Sequence, residues 1–142
     1  MPSLASKAAR RIVGNRRGER GQAMVELALV LPVLLVILIG VVQFALVYHA
    51  KDVATTAAQE GARLAAADGR TPAEGADRAR DVLRSGLGRT GSEFSVTAQD
   101  TGETVVVQAE GVYPLIIPWV TGRSIPIDAT AEVHKEGFRS GP

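Results

Sequence analysis

Residues 20–51 read RGQAMVELALVLPVLLVILIGVVQFALVYHAK, and this stretch decides how the rest of the 142-residue chain is organised. Between Glu26 and Lys51 there are 24 residues without Asp, Glu, Lys or Arg. As a helix they would extend over about 36 Å, whereas the hydrocarbon core of a bilayer needs roughly 20 apolar residues. A helix that is apolar on every face over this length predicts a single membrane span. Membrane lipid is therefore the first expected partner.

Basic residues are concentrated before this span. Residues 1–20 carry six Lys or Arg side chains against Glu19, whereas residues 51–142 carry ten basic and thirteen acidic side chains. Lys and Arg beside a first span keep that end in the cytoplasm, so the N-terminus is expected inside and the C-terminal part outside. The like charges and glycines also predict that residues 1–20 lack a stable fold. Nucleic-acid binding is not expected, because no aromatic or folded element accompanies the charges.

The chain has no cysteine and only two histidines, His49 and His134, which lie far apart in sequence. Disulfides, Cys-based metal sites and Cys nucleophiles are therefore excluded. There is no Gly-rich phosphate loop after a strand, no ligand cluster and no credible Ser/His/Asp arrangement. The sequence predicts a protein that is not an enzyme and uses no cofactor or metal.

Glu26 lies inside the apolar run. A carboxylate at the centre of a membrane helix costs roughly 2.5–3.5 kcal/mol on insertion scales, so such a residue usually has a partner. If the chain were cut after Gly21, a new α-amine would appear at Gln22, one helical turn from Glu26. Glu26 could then pair with the amine of a neighbouring subunit. The alternative, given equal weight from these residues alone, is that Glu26 is hydrated in the interfacial region.

Residues 17–32, RGERGQAMVELALVLP, resemble the N-terminal signature of TadE-like proteins, which are minor pilins or pseudopilins of the tight-adherence (Tad, type IVc) pilus. The later segment AAQEGAR, residues 57–63, is similar to that family as well. The resemblance implies that a prepilin peptidase cuts after Gly21, that Gln22 is the new N-terminus and that Glu26 is the recognition carboxylate. The mature chain would then have 142 − 21 = 121 residues. Leu27 departs from the aromatic residue that related pilins often have there, which suits a minor pilin.

The resemblance also implies partners and a role. The partners are the prepilin peptidase, other Tad pilus subunits and the inner-membrane assembly platform. The role is that of a structural pilus subunit that supports assembly and adherence through its N-terminal helix. The alternative is an uncleaved single-pass membrane protein that presents a small extracytoplasmic binding domain. The junction discriminates between these two roles. An uncleaved protein would give no function to Gly21 followed by Glu26, so the junction favours the pilus subunit.

Alanines recur at every fourth residue beyond the span, and a second row of small residues lies beside them. Residues four apart share a helix face, and a face of small side chains lets another helix or a sheet approach closely. The alternative is that alanine is simply a good helix former, but Gly61 argues against it. The helix is expected to continue to about Asp68, with close packing at Ala54, Ala58, Gly61 and Ala62.

The remainder predicts a small α+β domain with a pilin-like arrangement. Thr71, Pro72 and Glu74 form a helix-start signature for a short amphipathic helix to about Ser85. Period-two patterns predict three antiparallel strands, which begin near Phe94, Thr104 and Ile125. The expected organisation is a basic cytoplasmic leader (1–21), a transmembrane helix with an extension (22–68) and an exported domain (69–142).

The segment Tyr113–Val120, YPLIIPWV, contains two prolines that argue against a regular central strand. It is expected to tuck under the sheet. The alternative is an exposed apolar loop that contacts a partner or the membrane surface.

Overall fold

The computed structural model describes residues 4–116 and 122–135, with side chains from residue 21 onward. The first element is a single helix, α1 (Leu4–Ala66), which contains the whole apolar run and continues through Pro32. Within the described residues, this is the one helix that is long and apolar enough to cross a membrane. The chain divides into two compact units, residues 1–41 and 42–142.

Helix α1 begins at Leu4, so the expectation of an unstructured leader is wrong for residues 4–20. This segment contains three Ala and five Arg, which have high helix propensity. It is also continuous with a long helix, so it does not have to form a helix nucleus of its own. These two effects outweigh the glycines and the repulsion between like charges.

In the first unit, the side chains described from Gly21 to Val41 are nearly all exposed. They include large apolar residues such as Met24, Leu29 and Leu38, which are exposed by 74%, 71% and 58%. Apolar exposure on all sides of one helix is the pattern of a surface whose solvent is lipid.

The second unit combines the C-terminal part of α1 with two short helices and a three-stranded sheet, as the α+β prediction required. Antiparallel pairing gives the strand order β1-β2-β3. The elements are α2 (Pro72–Leu87), α3 (Arg89–Ser92), β1 (Ser95–Asp100), β2 (Thr104–Pro114) and β3 (Ser124–His134).

The core of this unit is built largely from alanine. Its largest fully buried side chains are Leu83 of α2 and Val105 and Val107 of β2. The sheet turns its period-two apolar face towards the helices, because alternate residues of a strand point to the same side. From α1, the core receives Ala50, Ala54, Ala57, Ala58, Ala62, Ala65 and Ala66.

The compact unit begins at Val42, inside α1, because the alanines between residues 50 and 66 form one side of its core. Helix α1 ends at Ala66, two residues before the expected end, and α2 continues two residues beyond Ser85.

Strand β2 extends further than the prolines suggested. It runs through Tyr113 to Pro114, which pairs with Ser124 at the last position of the ladder, where a missing backbone donor is least costly. Leu115 is half-buried and Ile116 is 63% exposed. The rest of the apolar segment, residues 117–120, lies outside the described residues.

The β2–β3 hairpin runs along α1. At one end, Val133 and His134 line a pocket of about 280 Å³ together with Arg63 and Ala66 of the helix. At the other end, the backbone N–H of Ile116 donates to the side chain of Gln43. Ile116, just beyond the end of β2, therefore lies against the part of the second unit that is nearest the start of α1.

Candidate functional site

The predicted processing junction lies within α1. Gly21, Gln22 and Glu26 are all exposed. A methyl group added at Gly21 would meet no described atom within 4 Å, so packing in this part of the chain does not require a glycine there.

Gln22 and Glu26 lie one helical turn apart and therefore on the same face of α1. Their rise along the axis is about 6 Å. Among the side chains described from residue 21 onward, Glu26 takes part in no ion pair.

The predicted packing face is buried within the second unit. Ala54, Ala58 and Ala62 have no exposed surface. A methyl group on Gly61 would lie 2.6 Å from the carbonyl oxygen of Gly75 in α2. The backbones of the two helices therefore meet directly at this pair of glycines.

Helices α1 and α2 run antiparallel from this crossing. A methyl group on Gly86 would lie 2.6 Å from Cγ1 of Val53, so the end of α2 contacts an earlier turn of α1. Between the two contacts, Arg78 Nη2 lies 3.5 Å from Glu60 Oε2. This pair is half-exposed and adds little stability, so the fit of small residues holds the helices together.

Residues 21–63 match the family model described as TadE-like protein. This segment of the chain is TadE-like. The match confirms the resemblance and covers the junction, the apolar run and most of the packing face. The matched range includes most of the candidate membrane span of α1. The comparisons with curated proteins and with solved structures gave no match.

The TadE-like segment contains a buried polar residue that sequence reasoning missed. Gln43 is 6% exposed, and its Oε1 accepts a hydrogen bond of 2.9 Å from the backbone N–H of Ile116. Its Nε2 has no acceptor among the described residues. The sequence does contain a signal for this residue, because Gln43 is the one side-chain amide between Glu26 and Lys51.

The start of α2 shows the predicted capping box. The hydroxyl of Thr71 accepts from the backbone N–H of Glu74, and the Glu74 carboxylate accepts from the backbone N–H of Thr71 at 2.9 Å. Arg70 donates to the same carboxylate at 3.1 Å. The backbone hydrogen bond from Thr71, followed by that from Arg70, lowers the pKa of Glu74.

A second charged contact closes the sheet at the end opposite the hairpin tip. Lys135, just after β3, donates to the carboxylate of Asp100 at the end of β1. The backbone N–H of Gly102 donates to the other oxygen at 2.8 Å. The contact with Lys135, and then the bond from Gly102, lower the pKa of Asp100.

An open groove of about 400 Å³ lies between α1 and α2. Its lining includes Asp52, Val53 and Thr56 from α1, and Arg78 and Asp81 from α2. No group of three or more potential metal ligands occurs among the described residues. The charged residues that line the groove have opposite signs, so the groove has no evident ligand chemistry.

Proposed function

We propose that this protein is a structural minor pilin of a Tad-type pilus. In this proposal, a prepilin peptidase cuts it after Gly21, and it enters the pilus through the N-terminal helix of the mature chain. The observation that carries the proposal is the TadE-like match, which begins at Gly21 and extends to residue 63. The matched range therefore starts at the proposed processing site.

The local structure supports a role for Gly21 in processing. A peptidase needs an extended backbone at the bond it cuts, yet α1 is helical through the junction. Glycine weakens a helix by about 1 kcal/mol relative to alanine, so the helix opens more easily there. No described atom lies within 4 Å of a methyl group added at Gly21, which supports a role for this glycine in processing and not in packing.

After cleavage, the mature helix would extend from Gln22 to Ala66 over about 68 Å. Its first turn would carry a new α-amine and, one turn later, the exposed carboxylate of Glu26. Moving either charge alone into an apolar helix bundle is costly, whereas an amine and a carboxylate of neighbouring subunits neutralise each other. Glu26 therefore provides the docking contact in this proposal.

The proposed setting is the cell membrane, with the N-terminus in the cytoplasm and the second unit outside. The excess of Lys and Arg before the span supports this orientation. The proposed partners are membrane lipid, the prepilin peptidase, other pilus subunits and the inner-membrane assembly platform. The contribution to adherence follows from membership in the pilus.

The deciding experiment is the N-terminal mass of the protein extracted from cells that carry an active prepilin peptidase. The expected product begins at Gln22 and has 121 residues, whereas cells without the peptidase keep all 142. Retention of residues 1–21 in the presence of the peptidase would contradict the proposal. The uncleaved single-pass protein with a binding domain would then take its place.

Orientation is tested separately by protease added to cells whose outer envelope has been opened. Epitopes beyond Lys51 should be digested, while an epitope before Arg20 should be spared. Protection of the second unit would reverse the proposed topology without bearing on cleavage.

A further inference from the structure

Strand β3 forms one edge of the sheet. The strand order β1-β2-β3 leaves β1 and β3 with one unpaired side each, and the register of β3 on β2 is regular along its 11 residues. Just beyond the two ends of β3, the N–H of Leu115 donates to the carbonyl of Arg123, and the N–H of Lys135 donates to the carbonyl of Glu103. These two bonds determine which residues of β3 face β2.

The even-numbered residues of β3 direct their backbone groups away from the sheet. Hydrogen-bonded and non-bonded pairs alternate along an antiparallel ladder. Residues 123 and 135 both belong to bonded pairs, so the odd-numbered residues between them bond to β2. No backbone hydrogen bond of the described residues uses the outward N–H groups on the other side. The outward residues, all exposed, are Ser124, Pro126, Asp128, Thr130, Glu132 and His134.

The opposite edge of the sheet is covered by the chain itself. Strand β1 has only six residues, and α2 packs beside it. Arg80 of α2 donates through Nη2 to the carbonyl oxygen of Val96 at 3.1 Å. Val96 is an outward residue of β1, because the bonded pair of Thr101 with Thr104 turns the odd-numbered residues of β1 towards β2. Within the described residues, the longer edge at β3 is therefore the unpaired one.

The side chains beside the β3 edge are acidic. The three strands contain no Lys or Arg. On the outer face of the sheet, away from the helices, Glu110 and Asp128 lie directly opposite each other, and like charges in such a pair destabilise a sheet. Glu132 lies on the same face of β3. None of these three carboxylates takes part in an ion pair among the described residues. A cation beside β3 would offset their repulsion.

The same charges disfavour pairing of β3 with a second copy of itself. In an antiparallel pair of two β3 strands centred on Thr130, Asp128 of one copy would lie opposite Glu132 of the other, which is unfavourable. Pro126 removes one outward donor as well, and proline is a common protection of sheet edges. The edge therefore rejects its own copy and is complementary to a strand with basic side chains.

We propose that the edge of β3 from Asp128 to His134 binds an extended segment of another protein, in which Lys or Arg alternates with uncharged residues. The segment adds a fourth strand to the sheet, and its basic side chains lie on the outer face beside Asp128 and Glu132. This part of the edge is about 20 Å long, which matches an extended segment of about seven residues. The inference needs neither cleavage after Gly21 nor assembly into a pilus.

The test uses the full chain in detergent micelles and a fluorescent peptide of the sequence Thr-Lys-Val-Lys-Val-Lys-Thr, blocked at both ends. Fluorescence anisotropy should show saturable binding of this peptide. The control peptide, in which glutamate replaces lysine, should not bind. The double variant Asp128→Lys, Glu132→Lys should reverse this preference, because the charges beside the edge are reversed.

Methylation of the peptide nitrogens separates strand pairing from simple charge attraction. The N–H groups of a strand point alternately to its two sides, so only one alternate set can bond to β3. Methylation of that set should abolish binding, whereas methylation of the other set should be tolerated. Equal binding of the two methylated peptides would mean that charge alone attracts the peptide, and the inference would be wrong.

Thr130 provides the matched pair of variants in the protein. Thr130→Pro removes an outward N–H and leaves the ladder with β2 intact, as Pro126 already does in the same strand. It should weaken peptide binding by about threefold to tenfold, the effect of one backbone hydrogen bond. Thr130→Val keeps the N–H and should bind like the wild type. Thermal unfolding shows whether both variants are folded, and the methylated peptides decide the question if Thr130→Pro is not.

Two further results would overturn the inference. If a folded Thr130→Pro variant binds the lysine peptide as well as Thr130→Val does, the peptide does not pair with this edge. If the peptide binds only after deletion of residues 136–142, the occupant of the edge is the end of the chain itself and not another protein. N-terminal processing is judged separately by mass, so the failure of either proposal leaves the other standing.

Discussion

Gly61 of α1 and Gly75 of α2 face each other with their backbones in direct contact. A methyl group on Gly61 would lie 2.6 Å from the carbonyl oxygen of Gly75, and a methyl group on Gly75 would lie 2.5 Å from that of Gly61. Both distances are too short for a real side chain. The separation of the two helices is therefore set by the lack of side chains at this one pair.

Gly61→Ala should destabilise the second unit, although alanine is the better helix former. Overpacking a tight contact costs about 1–3 kcal/mol, which exceeds the gain of about 1 kcal/mol from helix propensity. Thermal unfolding in detergent should show a lower Tm. Gly40→Ala is the matched control, because no described atom lies within 4 Å of its added methyl group. Equal Tm values for the two variants would contradict the contact.

Ala58→Leu should lower stability and also reduce assembly. Ala58 has no exposed surface, so three added carbons must displace the sheet or α2, at a cost of about 1–3 kcal/mol. Gln59→Leu adds an apolar side chain at the exposed neighbouring position and should leave the Tm nearly unchanged. Chemical denaturation of both variants is the measurement. A solvated alanine face would make the two variants indistinguishable.

Acid should weaken the second unit through Glu74 and Asp100. The pKa of each carboxyl is lowered in the folded protein from its ordinary value, 4.5 for Glu74 and 3.8 for Asp100. Their contribution to stability is therefore complete above those ordinary values and is lost as the pH falls through the lowered pKa values. The double variant Glu74→Gln, Asp100→Asn should show a flatter dependence of unfolding free energy on pH below about 4.5. A wild-type slope in that variant would show that other groups cause the acid sensitivity.

Gly21→Leu should block processing without unfolding the protein. A methyl group added at this position meets no described atom within 4 Å, so a block of processing is expected to arise in the peptidase. The expected product in cells with an active peptidase is the 142-residue precursor, detected by intact mass. Gly40→Leu, at another open position of α1, should still be cut. Normal cleavage of Gly21→Leu would show that the peptidase does not recognise Gly21.

Glu26→Gln should be cut but should dock poorly into the pilus. The substitution keeps the size of the side chain and removes the charge that would neutralise the amine of a neighbouring subunit. Co-purification with sheared pili should fall strongly, while the N-terminal mass shows a mature chain. Glu26→Asp keeps the charge and should recover part of the assembly. Wild-type incorporation of Glu26→Gln would favour a hydrated Glu26 without a partner.

Local patterns predicted most of the elements. The alternation around Val105 and Val107 predicted β2, and the spacing of Thr71 and Glu74 predicted the start of α2 with its capping box. These signals lie within a few residues of each other, so chain geometry alone relates them. The leader was predicted wrongly, because its charge pattern alone indicated an unstructured segment. Helix propensity and the adjoining helix outweigh the repulsion between its charges, so residues 4–20 are helical.

Contacts between distant residues were not predictable in the same way. The alanine rows indicated a close-packed face on α1, but nothing local showed that Gly75, rather than Gly86 or another small residue, would meet Gly61. The hydrogen bond from Ile116 to Gln43 spans 73 residues. An amide in an apolar run shows that a partner is needed, but the partner depends on where the hairpin lies along α1.

The alanine face also determines how the second unit responds to force. Alanine has no side-chain rotamers to lose on burial, so the contact of α1 with the sheet and α2 is stiff as well as tight. A pull along the axis of α1 loads this contact in shear over four helical turns, from Ala50 to Ala66. Under shear, all of these small contacts carry load at the same time instead of breaking one after another. The helix therefore draws the sheet along as a single mechanical body.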